Sequence, residues 1–274
     1  MPSPIVLIHG LWLTPRSWEG WKTRFEQRGH EVLAPAWPRM EGEVEALRRD
    51  PSVMNGLGLA EVVDHYDRIV RGLDIPPVIM GHSTGGLVAE LLLDRGLGAA
   101  GLGLSPAPVK GVLRLPPALL RTVFPALRNP ANRKKTIALS PKQFRFSFTN
   151  TMNDADAEAA YERYYVPAPG RVIFQASFAN FNPHAVTKVD FHKDDRPPLL
   201  VIGNDQDHTI PASVSKEAAT RLGKSKAVVE YEEFAGRPHF TAGAPGWEAV
   251  ADDALDWAYR HVGAPAETAE PARA

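Results

Sequence analysis

The sequence predicts an α/β protein built on a mostly parallel sheet. Two observations point there. Short apolar runs bounded by Gly or Pro recur along the chain, and they read as strands covered on both faces rather than as half-exposed alternating strands. Segments with helical apolar spacing separate these runs. Strand–helix alternation of this kind forms βαβ units, in which each helix returns the chain to the same end of the sheet and leaves successive strands parallel.

The elements follow in order. Residues 4–10, Pro-Ile-Val-Leu-Ile-His-Gly, open the chain with a buried strand that stops at Gly10. A helix is expected over 16–28, ended by Gly29, and a second strand over 31–35. Val62, Ile69 and Val70 give 57–73 the spacing of a helix. Residues 77–81 are a third strand, running through a tight turn into a helix over 84–94, and 99–104 are a fourth.

The rhythm then breaks. Residues 110–196 lack regular buried strands and carry prolines at 116, 117, 125, 130, 141, 167 and 169. It returns with a strand at 198–203, a helix at 212–222, a strand at 227–234 and a helix at 246–261. The expected organisation is therefore one core of about six strands, formed by 1–109 and 197–262. An inserted segment, 110–196, interrupts it after the fourth strand. Residues 263–274, rich in Ala, Pro and Glu, are expected to form a flexible tail.

Composition narrows the functional classes. Lys plus Arg number 31 and Asp plus Glu 32, a balance that excludes a dedicated nucleic-acid binder. The chain has no cysteine, which removes disulfides, thiolate metal sites and a cysteine nucleophile. Apolar runs such as 5–8 and 199–202 are far too short to span a bilayer. No basic leader or cleavage site precedes the first strand, so a cytoplasmic protein acting on a small molecule is expected. No metal-ligand spacing of the H-E-x-x-H kind occurs, and neither metal nor cofactor is expected. The oligomeric state is not legible.

The chemistry-bearing motif is Gly81-His82-Ser83-Thr84-Gly85. Its context, after a buried strand and at the start of a helix, is the one a G-x-S-x-G nucleophile turn requires. A serine there sits on a strained backbone with its hydroxyl presented near the positive end of the helix. The residues two before and two after it crowd together, which demands glycine. Such a hydroxyl needs a base. Of nine histidines, His239 lies just beyond the last expected strand, in Gly-Arg-Pro-His-Phe, on the sheet edge that carries Ser83. His9 and His82 lie in or beside strands and read as packed, hydrogen-bonded groups. The base needs an orienting carboxylate. The loop after the preceding strand, Gly-Asn-Asp-Gln-Asp-His-Thr-Ile-Pro, offers Asp205 and Asp207.

These motifs together resemble the α/β-hydrolase fold superfamily. The resemblance rests on Ile8-His9-Gly10, Gly81 to Gly85, the Asp205 to Pro211 loop and Gly236 to Phe240, in the superfamily order Ser, acid, His. It implies a serine hydrolase, with Asp207 as the acid because it stands four residues before a proline, a spacing common in that family. It implies an oxyanion hole made by the backbone N–H groups of Thr84 and Leu11, with Trp12 as an alternative donor and a candidate substrate contact. It gives the insertion the position of a cap or lid.

The insertion has two compositional marks. Between 110 and 153 there are nine basic residues and no acidic one, read either as a solvated face or as attraction for an anionic substrate or surface. Eleven aromatics fall among its 87 residues, against 8% aromatic for the chain. Phe144, Phe146 and Phe148 alternate, so a strand-like face lining an apolar substrate pocket is expected. The leading expectation is cleavage of a carboxylic ester or lactone. The same site on this fold also serves carbon–carbon bond hydrolases, perhydrolases and hydroxynitrile lyases, and a non-catalytic binder is the remaining class.

Overall fold

The computed structural model describes residues 2–262; the expected tail at 263–274 lies outside the described residues. The core is one six-stranded sheet. Its strands are β1 (Ile5–Ile8), β2 (Val32–Leu33), β3 (Val78–His82), β4 (Ala100–Leu104), β7 (Leu199–Asn204) and β8 (Val229–Phe234), all paired in parallel in the order β2-β1-β3-β4-β7-β8. β5 (Thr136–Ile137) and β6 (Ala168–Pro169) are a separate antiparallel pair between β4 and β7.

Side-chain alternation along the strands feeds two cores. Ile5, Leu7, Val78, Met80, Leu102, Leu200 and Ile202 pack with Trp18, Trp21 and Phe25 and with helix α10 (Trp247–His261). Trp21 and Phe25 belong to helix α1 (Glu19–Gln27). Val6, Ile8, Ile79 and Val201 point the other way. They meet helices α3 (Leu59–Arg71), α4 (Thr84–Asp94) and α9 (Ala212–Leu222). Both faces of β1, β3, β4 and β7 are covered, which is why those strands read as continuous apolar runs, whereas the edge strand β8 carries three glutamates and is only partly buried. A short helix α2 (Val44–Arg49) lies between β2 and α3.

Between β4 and β7 the chain forms α5 (Pro117–Leu127), α6 (Pro141–Phe148), α7 (Asp154–Tyr164) and α8 (Gly170–Ser177). Polar contacts tie this segment to the core. The Trp12 indole N–H donates to the Ile137 carbonyl (3.0 Å), the Val166 amide to the Trp12 carbonyl (3.0 Å) and the Leu59 amide to Gln175 (2.8 Å).

Three expectations need correction. Phe144, Phe146 and Phe148 lie on a helix, not a strand. Ser140 caps α6 through the Gln143 amide, Gln143 reaches back to the Ser140 amide, and Pro141 occupies the first turn, a combination that fixes a helix start. Phe144 and Phe148, one turn apart, are buried together, while Phe146 points elsewhere. The helix expected over 16–28 divides into a 3₁₀ turn at Pro15–Trp18 and α1. The last strand starts at Val229 rather than at 227.

Candidate active site

Three loops at the C-terminal ends of β3, β7 and β8 carry the candidate residues, the sheet edge where parallel α/β folds place their ligand sites. Ser83 follows β3 with φ 56° and ψ −121°, a left-handed backbone that a serine adopts only under constraint. Its amide donates to Leu104 (2.9 Å), and its carbonyl accepts from Ala107 (2.9 Å) and Leu87 (3.1 Å). The glycines around it are dictated by space. A Cβ on Gly81 would stand 2.0 Å from the Gly85 carbonyl oxygen, and one on Gly85 would stand 2.1 Å from that of Ile8. Any side chain at either position would force the turn apart.

Asp207 and His239 meet directly. The His239 Nδ1–H donates to Asp207 Oδ2 at 2.6 Å, with both side chains fully buried. Asp207 Oδ1 accepts from the amides of Thr209 and Ile210, each at 2.7 Å. Those two N–H groups fix the orientation of the carboxylate. The opposite ring nitrogen, His239 Nε2, is buried and has no hydrogen-bond partner among the described residues. Asp205 does not join them. It is exposed, and its carboxylate accepts from the Arg237 amide (3.3 Å) and the Gln206 side chain (3.2 Å).

The loop after β1 lies against the nucleophile turn. A Cβ on Gly10 would stand 2.8 Å from Ser83 Cβ, so only glycine lets the two loops touch. Leu11, the next residue, donates its amide to no acceptor among the described residues, and Thr84 is the first residue of α4. Trp12 is buried with φ 62°.

Histidines of the strands support these loops. The His82 Nε2–H donates to the main-chain carbonyl of His239 at 2.8 Å, and the two rings lie 4.6 Å apart. Burial holds His82 well below the ordinary imidazole range, and its neighbours His239 and His9 add to that effect, so His82 is neutral. Burial also lowers His9 to about 4. His9 Nε2 accepts from the Trp37 amide (3.2 Å), so its Nδ1 carries the proton and donates to the Gly10 carbonyl (3.0 Å). The Trp37 ring stacks on His9 at 5.1 Å, and its indole N–H returns a bond to the His9 carbonyl. Trp37 was not legible from the sequence as a partner of this loop.

The aromatic residues of α6 separate by position. Phe148 packs edge-on against the His239 ring at 4.9 Å and meets Trp12 at 6.1 Å. The Phe240 amide also donates to the Phe148 carbonyl (2.8 Å). Phe144 stacks behind Phe148 at 4.7 Å. Phe146 lies on another side, against His208 at 4.6 Å and under the Arg121 guanidinium at 3.9 Å. Of the three, only Phe148 contacts the candidate base.

The alpha/beta hydrolase family model matches residues 5–254. Among solved structures, an extracellular alpha/beta-hydrolase from a Paenibacillus species is 19% identical with a TM-score of 0.67; the match covers 93% of this chain and 98% of that one. A monoacylglycerol lipase from Paleococcus ferrophilus is 18% identical with a TM-score of 0.64, covering 95% and 97%. A pyrethroid hydrolase from Sphingobium faniae is 18% identical with a TM-score of 0.63, covering 97% and 99%. At these identities the likeness is one of fold. A comparison with curated proteins finds no match.

Proposed function

We propose that this chain, which belongs to the alpha/beta hydrolase family, is a serine hydrolase cleaving a carboxylic ester or lactone of a small to medium hydrophobic substrate through an acyl-enzyme. The observation that carries the reading is the buried Asp207–His239 pair, with the Nδ1–H of the base engaged and its Nε2 left without a partner among the described residues.

In this reading Ser83 Oγ attacks the carbonyl carbon while His239 Nε2 takes its proton. Asp207 keeps the ring in the tautomer that can do so and stabilises the imidazolium. The amides of Leu11 and Thr84 receive the negative charge that develops on the carbonyl oxygen. His239 then returns the proton to the leaving alkoxide. A water molecule, deprotonated by the same nitrogen, releases the acid and restores Ser83. The closeness of Gly10 to Ser83 supports Leu11 as a donor, since it fixes the two loops relative to each other. Residues 110–196 act as a cap that selects substrate, a role supported by the placement of Phe148 against His239 and Trp12.

The test is labelling by a fluorophosphonate probe beside a panel of esters and lactones. Wild type should label and turn over several panel members, and Ser83→Ala should do neither while keeping its thermal transition. Equal labelling of the variant would remove Ser83 from the role of nucleophile.

A further inference from the structure

The inserted segment presents an outward face with two properties that seldom coincide. Helix α5 buries Leu119, Thr122 and Ala126 against the protein. At about 3.6 residues per turn, its opposite side carries Leu120 and Phe124, flanked by Arg121 and Arg128. Leu120 is 48% and Phe124 63% exposed. The stretch leading into α5 carries Leu113 and Leu115, both more than half exposed, and the Leu113 and Arg114 amides donate to the Glu217 carboxylate of α9. Of seven large apolar side chains exposed among the described residues, six lie in the inserted segment. A concentration of this kind marks an interaction surface.

The same stretch is charged with one sign. Of its nine basic residues, Lys110 is engaged by the carbonyls of Ala179 and Asn182, and Arg145 pairs with Asp154. The other seven enter no ion pair among the described residues. Arg121 and Lys142 share a cavity of about 410 Å³ between α5 and α6, whose wall also includes Phe124, Pro125 and Phe146.

We infer that this face docks on an anionic phospholipid surface. Leu113, Leu115, Leu120 and Phe124 enter the boundary between headgroups and acyl chains, and the interleaved arginines lie at phosphate level, the arrangement of a basic interfacial helix. Charge complementarity selects this occupant. A second copy would bring the same uncompensated cations face to face. A purely polar anionic partner would leave the apolar side chains in water. The inference uses no residue of the candidate site and stands whether or not the proposed reaction is correct.

The test is flotation of the whole chain with vesicles of phosphatidylcholine alone and of phosphatidylcholine mixed with phosphatidylglycerol. Flotation with the anionic vesicles only is expected, and it should be lost near 1 M salt, where the screening length falls to about 3 Å. Arg121→Gln with Arg128→Gln should weaken binding roughly 25-fold, from roughly fivefold per basic residue at such a surface. Leu120→Ser with Phe124→Ser should weaken it about tenfold or more. Circular dichroism should remain unchanged in both, since the substituted side chains are exposed. Three results would overturn the inference: absence of flotation with anionic vesicles, equal flotation with neutral ones, or double variants that bind like wild type. A dimer in sedimentation without lipid that Leu120→Ser with Phe124→Ser dissociates would also overturn it, assigning the face to self-association.

Discussion

His82 Nε2 and the main-chain carbonyl of His239 are joined by a hydrogen bond of 2.8 Å, so the residue preceding the candidate nucleophile holds the backbone of the candidate base. The bond is local on one side and long-range on the other, linking β3 to the loop after β8. Burial holds His82 neutral, so one ring nitrogen carries the single proton, and the bond to the His239 carbonyl places it on Nε2.

His82 is therefore expected to act as a positioning residue. His82→Leu removes the donor and leaves a buried carbonyl unpaired, a loss of about 1–3 kcal/mol. It should lower kcat by roughly tenfold or more through displacement of His239, with KM nearly unchanged. His82→Gln keeps an N–H donor and should recover most of kcat. Equal kcat in both variants and wild type would leave the bond a purely structural one. Thermal melts of both variants separate loss of fold from loss of alignment.

The two loop carboxylates should differ sharply. Asp207→Asn removes the acceptor that fixes the His239 tautomer and should reduce kcat by up to roughly 10⁴. Asp205→Asn changes an exposed group bonded to Arg237 and Gln206, and should stay within about threefold of wild type. Ester turnover by the two purified variants decides it, and a dead Asp205→Asn beside an active Asp207→Asn would reverse the assignment.

Among the aromatics of α6, Phe148 should govern acyl-group preference and Phe146 should not. Phe148→Leu changes the surface beside His239 and Trp12 and should shift kcat/KM between short and long acyl groups by roughly tenfold. Phe146→Leu loses its contacts with Arg121 and His208 and should leave that ratio unchanged. Matching shifts in the two variants would place both rings at the substrate.

Glu90 should make the fold progressively less stable as pH rises from about 4.5 to about 8. It is fully buried in α4, where burial lifts its carboxyl from 4.5 to about 8 against the pull of Arg196. Neither carboxyl oxygen has a hydrogen-bond partner among the described residues. Between those two pH values the native protein keeps a proton that the unfolded chain has released. Stability therefore falls as pH rises through the window, by about 1.4 kcal/mol per unit. His9, lowered from 6.5 to about 4, has the opposite sense: stability falls as pH drops through that range. Glu90→Gln carries no titrating proton, so its Tm should gain on that of wild type between pH 5 and pH 8. A Tm difference that does not change with pH would mean that Glu90 ionises without penalty.

The core was legible because its elements announce themselves locally. The helix expected over 84–94 coincides with α4 and the one over 212–222 with α9, each following a strand whose apolar run ends in a turn. Ser83 and His239 stood out as candidates because each follows a strand in a recognisable loop, while the loop after β7 offered both Asp205 and Asp207, and only the resemblance to the superfamily favoured Asp207. The insertion was harder to read. Phe144, Phe146 and Phe148 fit alternation and helical spacing equally well, and the capping box at Ser140 and Gln143 was the signal that decides between them. β5 and β6 have two residues each, too few to show a period. The contacts of His82 with residue 239 and of His9 with Trp37 join positions 157 and 28 apart, and no local pattern encodes them.

The sheet order also sets when the site can come into being during folding. β4 lies beside β7, with Gly101 paired to Leu199, so everything between them must be looped out before those strands meet. The entropy of closing a loop grows only slowly with its length, but pairings so distant in sequence are late and slow events. Asp207 and His239 both lie beyond that closure in sequence, in the loops after β7 and β8. A refolding chain should regain helical signal well before it regains a competent serine. Fragments ending before β8 lack His239 and should be inert, however well their first four strands have formed.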